Sequence, residues 1–299
     1  MENNKNLEVF SNMPVPKAVM KNALPAMAAM LMVLVYNLAD TFFIGQTHNA
    51  LLVAAVSLAT PVYLIFMSIG TLFGIGGTSV ISRALGEGKK EKARKSCAFC
   101  FWGCVFVGIL LVAFILIFIN PILNLIGASA DTYEYAKSYL SIIVFAGPFV
   151  LISNCYGNVI RTEGESGKAM LGLLLGNLVN VILDPIFILA LGLDIKGAAI
   201  ATVIGNIVGA GFYISYFLKG KSMLSIRLKD FTVKQGIAAS VLAIGVPAAL
   251  GDALMSVSHI ISNSQMAHYG DMAVVGMTGL VWAQPVADVL SILIAAILF

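Results

Sequence analysis

The sequence predicts an all-α integral membrane protein, a bundle of about eight transmembrane helices. Of its 299 residues, 59% are hydrophobic and 11% are charged, and the mean hydropathy is +0.94. A soluble domain carries about twice that charged fraction. The apolar residues fall in long runs without the period-two alternation of barrel strands. Each run reaches the roughly 20 residues that a membrane-spanning helix needs.

Short polar loops separate eight apolar segments. We predict spans at 22–45, 52–82, 96–119, 134–160, 169–192, 197–218, 237–267 and 272–298. If the N-terminus is cytoplasmic, sixteen of the eighteen Lys and Arg residues fall on the inner side, and only Lys137 and Lys196 fall outside. This excess of positive charge supports that orientation. The basic turn at 83–95 is expected to meet anionic lipid headgroups.

The first and seventh segments begin alike, with LPAMAAMLMVLV at 24–35 and VPAALGDALMSV at 246–257. The longest cytoplasmic loop precedes the seventh segment. We therefore predict a six-helix N-terminal lobe at 1–218, a cytoplasmic inter-lobe linker at 219–236 and a partial C-terminal lobe of two helices at 237–299. A repeated lobe would need six helices. The chain is thus expected to be a fragment or deletion form of a longer protein, and the alternative is a complete eight-helix protein.

Four acids fall inside predicted spans: Asp40, Asp184, Asp252 and Asp288. No Lys or Arg lies deep in a span to pair with them. A charge in hydrocarbon costs several kcal/mol, so acids at such positions are candidate functional residues. At a rise of 1.5 Å per residue, Asp40 and Asp184 lie roughly 28 and 24 Å from the inner surface. Both depths fall in the outer half of a hydrocarbon core about 30 Å thick. The roles of Asp252 and Asp288 stay open.

Polar residues on the fifth and sixth segments can complete a site around these acids. Asn177, Asn180 and Asp184 are spaced by three and four residues, so they share a helix face. Thr202 and Asn206 lie on the sixth segment, Thr202 at roughly 9 Å from the outer surface. Small residues at four-residue spacing allow close helix contact there: Gly197, Ala201, Gly205 and Gly209. Such oxygens can solvate Na⁺ or hydrogen-bond a protonated acid. The alternative for Asn177, Thr202 and Asn206 is structural hydrogen bonding between helices.

Four motifs around these residues resemble the multidrug and toxic compound extrusion (MATE) family, in its DinF/MepA-like branch. They are LPAMAAMLMVLVYNLADTFFIG in the first segment, RALGEG after the second, NVIRTEG at the end of the fourth and GNLVNVILDPIFI in the fifth. The resemblance implies two six-helix lobes around a central cavity, of which this chain lacks much of the second. It also implies multidrug efflux, with organic cations exported against H⁺ or Na⁺, and hence antibiotic resistance.

The resemblance also implies site residues. It places the cation-binding site, which would hold Na⁺ if Na⁺ is the coupling ion, on Asp40, Asn180, Asp184 and Thr202. It places substrate contacts on Tyr36, Asn37, Asn154 and Asn158. Residues 271–277 resemble the start of the family's eighth helix and 279–299 its last one, as if the helices between them had been removed.

No motif of an intramembrane enzyme is found, and we expect no cofactor beyond the coupling ion, H⁺ or Na⁺. The expected partners are small organic cations and membrane lipids, with no nucleic acid and a monomeric full-length protein. The expected location is the inner (plasma) membrane. Two alternatives stay open. One is a related flippase for a lipid-linked sugar, which would need a basic cavity for pyrophosphate. The other is a truncated membrane module that does not transport.

Overall fold

The computed structural model of the chain describes residues 14–47, 49–220, 222–234 and 236–267. Its helices are α1 (Val15–Gly45), α2 (Ala50–Gly86), α3 (Lys90–Ile117), α4 (Ile119–Leu125), α5 (Tyr133–Ile143), α6 (Gly147–Thr162), α7 (Ser166–Asp184), α8 (Asp194–Leu218) and α9 (Ile237–Ala267). A 3-10 turn, Val144–Ala146, joins α5 to α6, and a π-helical segment, Pro185–Ala190, continues α7. Another 3-10 turn, Leu228–Asp230, lies in the linker before α9.

Seven stretches of the described chain are long and apolar enough to cross a membrane. They are Ala23–Gly45, Ala50–Gly86, Lys90–Ile117, Tyr133–Thr162, Ser166–Ala190, Asp194–Leu218 and Ile237–Gln265. They coincide with the first seven predicted spans, which confirms the all-α membrane bundle and a multi-pass membrane protein. The eighth predicted span at 272–298, which contains Asp288, lies outside the described residues, as do the two motifs at 271–277 and 279–299.

Helix α2 packs against α9, α6, α5 and α3. Its contact with α9 is so close that the two backbones touch. A Cβ atom added to Gly76 would lie 2.2 Å from the Val241 carbonyl oxygen, and one added to Gly245 would lie 2.2 Å from the Leu72 carbonyl oxygen. Only glycine fits at these two positions, since neither space admits a side chain.

Two serine hydroxyls reinforce the α2–α9 contact. Ser68 Oγ on α2 donates to the Ala249 carbonyl oxygen over 2.9 Å, and Ser256 Oγ on α9 donates to the Pro61 carbonyl oxygen over 2.8 Å. Both hydroxyls are buried. Hydrogen bonds of this kind hold membrane helices together where the hydrophobic effect contributes little. The seventh span is therefore bound along the second span, although the sequence assigns it to another lobe.

Helices α7 and α8 meet through the small-residue stripe, as its spacing predicts. A Cβ atom on Gly205 would lie 2.7 Å from the Gly176 carbonyl oxygen, and one on Gly176 would lie 2.9 Å from the Gly205 carbonyl oxygen. The two backbones approach at the depth of Asn180 and Thr202. This close approach places the polar face of α7 against that of α8.

The described part of the linker folds back onto the helices that precede it. The Trp102 indole Nε1 donates to the Ile226 carbonyl oxygen over 3.2 Å, and the Phe231 ring stacks on Phe99 with centroids 6.1 Å apart. Leu224, Ser225 and Ile226 are buried. The chain that joins α8 to α9 is thus fixed to α3 rather than free in solvent.

Candidate functional site

Three polar side chains form a cluster where α7 and α8 touch. Asp184, Asn180 and Thr202 are 0%, 2% and 4% exposed. The amide orientation that satisfies both neighbours of Asn180 places its nitrogen 3.1 Å from Asp184 Oδ2, and its oxygen accepts from Thr202 Oγ1 at 3.2 Å and from Thr202 N at 3.0 Å. The spacing of three and four residues along α7 and the depth of Thr202 predicted these neighbours. The structure brings three of the four predicted cation-site residues into one hydrogen-bonded group.

The fourth predicted residue, Asp40, lies on α1 beside this cluster. It is within electrostatic reach of Asp184 and of Tyr36, and the Tyr36 side chain also interacts with Thr202. Asp40 Oδ1 is buried and has no hydrogen-bond partner among the described residues. A buried acceptor without a partner is rare and costly in a folded protein. Asp40 therefore offers an acceptor that an ion or a proton can satisfy.

The chain leaves the α-helical path directly after Asp184. Pro185 has no N–H to donate to the carbonyl of Val181 one turn earlier, and the backbone continues as a π-helical segment to Ala190. Short π-helical segments inside helices are frequent at functional sites. In a membrane such irregular backbone is tolerated where it is covered by protein. Here Gly197 of α8 covers it, since a Cβ atom there would lie 2.7 Å from the Phe187 carbonyl oxygen.

A cavity of about 350 Å³ opens beside the cluster, bounded by α1, α2, α6, α7 and α8. Among the described residues that line it, none is charged. Its polar lining consists of Tyr36, Asn37, Tyr63, Ser153, Asn154, Asn177, Asn180, Thr202, Asn206 and Tyr213. A volume of this size suits a small organic molecule. The cavity thus presents amides and hydroxyls, with the two carboxylates placed just behind its wall.

The predicted substrate contacts divide between two places. Tyr36, Asn37 and Asn154 line the cavity. Asn158, one turn along α6 from Asn154, donates its Nδ2 to the Asn154 backbone carbonyl over 3.0 Å. It packs at Gly74 of α2, where a Cβ atom would lie 3.2 Å from Asn158 Nδ2.

Two further atoms of the cavity lining carry no hydrogen bond. Asn177 Nδ2 and Ser153 Oγ are buried and without a partner among the described residues. Each can form a hydrogen bond to a ligand or to a water molecule without breaking a hydrogen bond that already exists. The sequence placed Asn177 at the site but missed Ser153 and Tyr63. Each could have been identified as a polar residue inside an apolar segment. For Ser153 there was a further indication, since it directly precedes Asn154.

Asp252 lies away from this cluster. Its Oδ2 accepts a hydrogen bond from Thr71 Oγ1 on α2 over 2.8 Å, and both groups are partly buried. The sequence left its role open and gave no reason to select Thr71.

A second buried acid, Glu163, lies between α6 and α7 at the end of the bundle where the linker folds back. Its Oε1 accepts from Ser222 Oγ at 2.7 Å and from Met223 N at 2.9 Å, and its Oε2 accepts from Tyr216 Oη at 3.1 Å. Glu163 is 4% exposed. Burial raises the pKa of its carboxyl above the ordinary 4.5, and the three donors counteract this in part. The sequence showed Glu163 only as part of the NVIRTEG motif.

The sequence profile of the MatE family matches residues 25–186. The chain is 32% identical over 270 residues to the multidrug export protein MepA of Staphylococcus aureus strain NCTC 8325 / PS 47. It has the same identity to MepA of Staphylococcus haemolyticus. Each match covers 90% of this chain and 60% of the relative. The chain therefore spans about 60% of the length of the curated relatives it matches.

Solved structures of two transporter conformations are similar to this fold. One is the inward-facing conformation of a multidrug resistance MATE family transporter of the MOP superfamily, with a TM-score of 0.78 at 26% identity over 89% of this chain and 60% of that one. The other is an outward-facing conformation, with a TM-score of 0.83 at 27% identity over 97% and 64%.

Proposed function

The chain belongs to the MatE family, and from this premise we propose that the complete protein is a secondary active multidrug efflux antiporter. It exports small organic cations in exchange for H⁺ or Na⁺, acts as a monomer in the inner (plasma) membrane with its N-terminus in the cytoplasm, and confers antibiotic resistance. The observation that carries the proposal is Asp40 Oδ1, which has no partner among the described residues. It lies beside the buried Asp184 cluster, at the wall of a cavity whose described lining carries no charge.

Coupling follows from the placement of charge behind the cavity wall. Two carboxylates near the cavity attract a cation, and neutralising them with H⁺ or Na⁺ removes that attraction. Exchange then needs two conformations that bind the ion and the drug with different affinities. Asp40 is suited to this role because its neutralisation satisfies a buried acceptor that has no partner in the described part of the chain. The roles of Asp40, Asn180, Asp184 and Thr202 as the coupling site, and of Tyr36, Asn37, Asn154 and Asn158 as substrate contacts, belong to this proposal.

The orientation of the Asn180 amide favours H⁺ over Na⁺. Its nitrogen faces Asp184 and its oxygen faces Thr202. A Na⁺ ion at Asp184 takes oxygen ligands, so the amide would have to turn. It would then keep a bond to Thr202 Oγ1, with its nitrogen as the donor, but lose the bond from Thr202 N. A proton on either carboxylate needs no such change.

The cavity chemistry argues against a flippase for a lipid-linked sugar. A pyrophosphate would require Lys or Arg in the cavity wall, and the described lining residues include neither. A membrane module that does not transport would move no ethidium across the membrane of a vesicle, whereas an antiporter would. Measuring ethidium movement in vesicles therefore separates the two.

Proteoliposomes that contain the purified chain are loaded with buffer and given either a pH gradient or a Na⁺ gradient, and ethidium movement is followed by fluorescence. We expect movement driven by one gradient, and its loss in Asp40→Asn and in Asp184→Asn. Asp131→Asn, a change at an exposed acid, is the matched control and should behave as the wild type. Ethidium binding without movement would favour the module that does not transport. Equal movement in all four proteins would contradict the coupling site.

A further inference from the structure

Asp252 is an acid inside a membrane span that the coupling site does not use. It lies on α9, and its Oδ2 accepts from Thr71 Oγ1 on α2 over 2.8 Å. An acid within a span is costly and is typically kept for a role. Its contact with Thr71 connects α9 to the wall of the cavity, because Thr71 is also bonded to a residue of the cavity lining.

That residue is Asn154 on α6. Its Nδ2 lies 3.2 Å from Thr71 Oγ1 and 2.9 Å from the Met67 carbonyl oxygen. A side-chain amide has two N–H groups, and each of them has an acceptor on α2 here. The oxygen Oδ1 is the remaining hydrogen-bonding atom of the side chain, and Asn154 lines the cavity.

The direction of each proton follows from the chemistry of the three groups. Thr71 donates its single hydroxyl proton to Asp252 Oδ2. The Thr71 oxygen is then available to Asn154 only as an acceptor. Together with the Met67 carbonyl, it holds the nitrogen of the Asn154 amide toward α2, which leaves the amide oxygen for the cavity.

We call the hydrogen-bonded chain Asp252–Thr71–Asn154 the relay. Packing holds Asn154 at its end. Gly70 of α2 faces it, and a Cβ atom there would lie 2.9 Å from Asn154 Cβ. The glycine lets α6 approach α2 until the Asn154 amide reaches both Met67 and Thr71. The amide is thus fixed in place by shape and in orientation by hydrogen bonds.

We propose that Asp252 is a positioning residue which, through Thr71, holds the Asn154 carbonyl oxygen toward the cavity as an acceptor for the N–H groups of a bound organic cation. This inference rests on the proposed function and adds a rule of specificity to it. Cations that carry amino or protonated amine groups are favoured over cations of equal charge that have no N–H group. The acid that sets this preference lies on the seventh span, outside the lobe that forms the cavity.

The test compares two monovalent cations that differ in this property, ethidium with its amino groups and tetraphenylphosphonium with none. Their dissociation constants are measured on the purified 299-residue chain in detergent. Thr71→Val removes the hydroxyl that joins Asp252 to Asn154, and Asp252→Leu removes the acceptor to which that hydroxyl donates. Thr71→Ser and Asp252→Glu are the conservative variants. Ser68→Ala is the matched control, because it removes another α2–α9 hydrogen bond without touching the relay.

We expect Thr71→Val and Asp252→Leu to weaken ethidium binding about fivefold to tenfold, the effect of one lost hydrogen bond. Binding of tetraphenylphosphonium should change less than about twofold, and both conservative variants should retain ethidium binding. Ser68→Ala should leave the ratio of the two affinities unchanged. An unchanged ratio in Thr71→Val and Asp252→Leu, or an equal change in Ser68→Ala, would overturn the proposal.

If the wild-type chain binds neither cation, the proposed function fails, and thermal unfolding then decides whether the relay exists. Residues in one hydrogen-bonded chain give non-additive effects. The Thr71→Val/Asp252→Leu double variant should then lose no more melting temperature than the more affected single variant. Additive losses would contradict the relay itself.

Discussion

Two buried carboxylates bracket the same helix and differ in how they are satisfied. Glu163 lies three residues before α7 begins, and Asp184 is its last residue, roughly 30 Å away along the helix axis. Glu163 receives three hydrogen bonds, from Tyr216, Ser222 and Met223. Asp184 receives the Asn180 amide, and its neighbour Asp40 has a buried oxygen with no partner among the described residues.

On the proposed function, this difference separates a structural acid from the acids of the coupling site. A carboxylate has about four acceptor sites. At Glu163 three donors occupy them, and the carboxylate joins three segments of chain: the turn before α7, the end of α8 and the linker. Asp40 Oδ1, in contrast, has no partner among the described residues and is open to an ion or a proton. Burial alone, which both acids share, does not distinguish the two roles.

The largest expected effect concerns the functional acid. In Asp184→Asn the coupling between protons and drug should vanish, because the group that both compete for is gone. For the wild type we expect ethidium affinity to change about tenfold or more between acid and neutral pH, within the usual range of coupling, and in the variant by less than about twofold. Fluorescence titration at both pH values measures this. A pH dependence retained by the variant would place coupling elsewhere.

The next effect concerns the structural acid. Glu163→Ala leaves a buried tyrosine hydroxyl and the Met223 N–H without their acceptor, and we expect a loss of about 2–3 kcal/mol in unfolding free energy. Glu163→Gln keeps one acceptor oxygen and should lose about half as much. Asp184→Asn, in contrast, should change stability by less than about 1 kcal/mol. Thermal unfolding in one detergent compares all three, and equal losses in Glu163→Ala and Asp184→Asn would remove the distinction.

A smaller effect is expected at Thr202. Thr202→Val keeps the shape of the side chain but removes the hydroxyl that donates to Asn180. The amide remains held by Thr202 N, so the loss should be about 1 kcal/mol in unfolding free energy. Thr47→Val, at a partly buried hydroxyl that bonds its own helix end, is the control. A loss in the Thr202 variant no greater than in this control would show that the hydroxyl does not hold the cluster.

The smallest effect is a pH dependence of stability at Glu163. Because burial raises the pKa of this carboxyl above 4.5, the folded chain binds its proton more tightly than the unfolded chain. The contribution of Glu163 to stability is then largest at acid pH and falls as pH rises from about 4.5 through the raised pKa, at most by about 1.4 kcal/mol per pH unit. The melting temperature of the wild type minus that of Glu163→Gln should fall over this range. A constant difference would contradict the raised pKa.

The sequence predicted the spans and most of the cation cluster because both depend on local periodicity. Long apolar runs identify the helices, and spacings of three and four residues place Asn180 and Asp184 on one face. The partner across the helix contact, Thr202, followed from the glycine stripe, which determines where α8 can approach α7. Asn154 and Asn158 are also one turn apart, yet only Asn154 lines the cavity. The rotation of α6 depends on Gly70 and Gly74 of α2, a fact of packing that spacing does not contain.

Glu163 and Asp252 were beyond sequence reasoning for a related reason. Glu163 belongs to a turn between two spans, where an acid is normally solvated. It becomes buried because the linker folds back over it, with Ser222 bonded across 59 positions of the chain. Thr71 reaches Asp252 across 181 positions. Contacts of such separation arise from the assembled bundle and leave no local pattern.

The two glycine contacts between α2 and α9 fix the register of the pair, that is, which residues of the two helices lie side by side. At Gly76 and Gly245 the backbone of one helix rests against a carbonyl oxygen of the other. A slide of one helical turn, about 5.4 Å, would bring Val241 or Ala249, which share the helix face of Gly245, against the Leu72 carbonyl oxygen. The two glycines therefore oppose sliding of either helix along the other. In mechanical terms they fix the height at which the seventh span meets the second span, which itself borders the cavity.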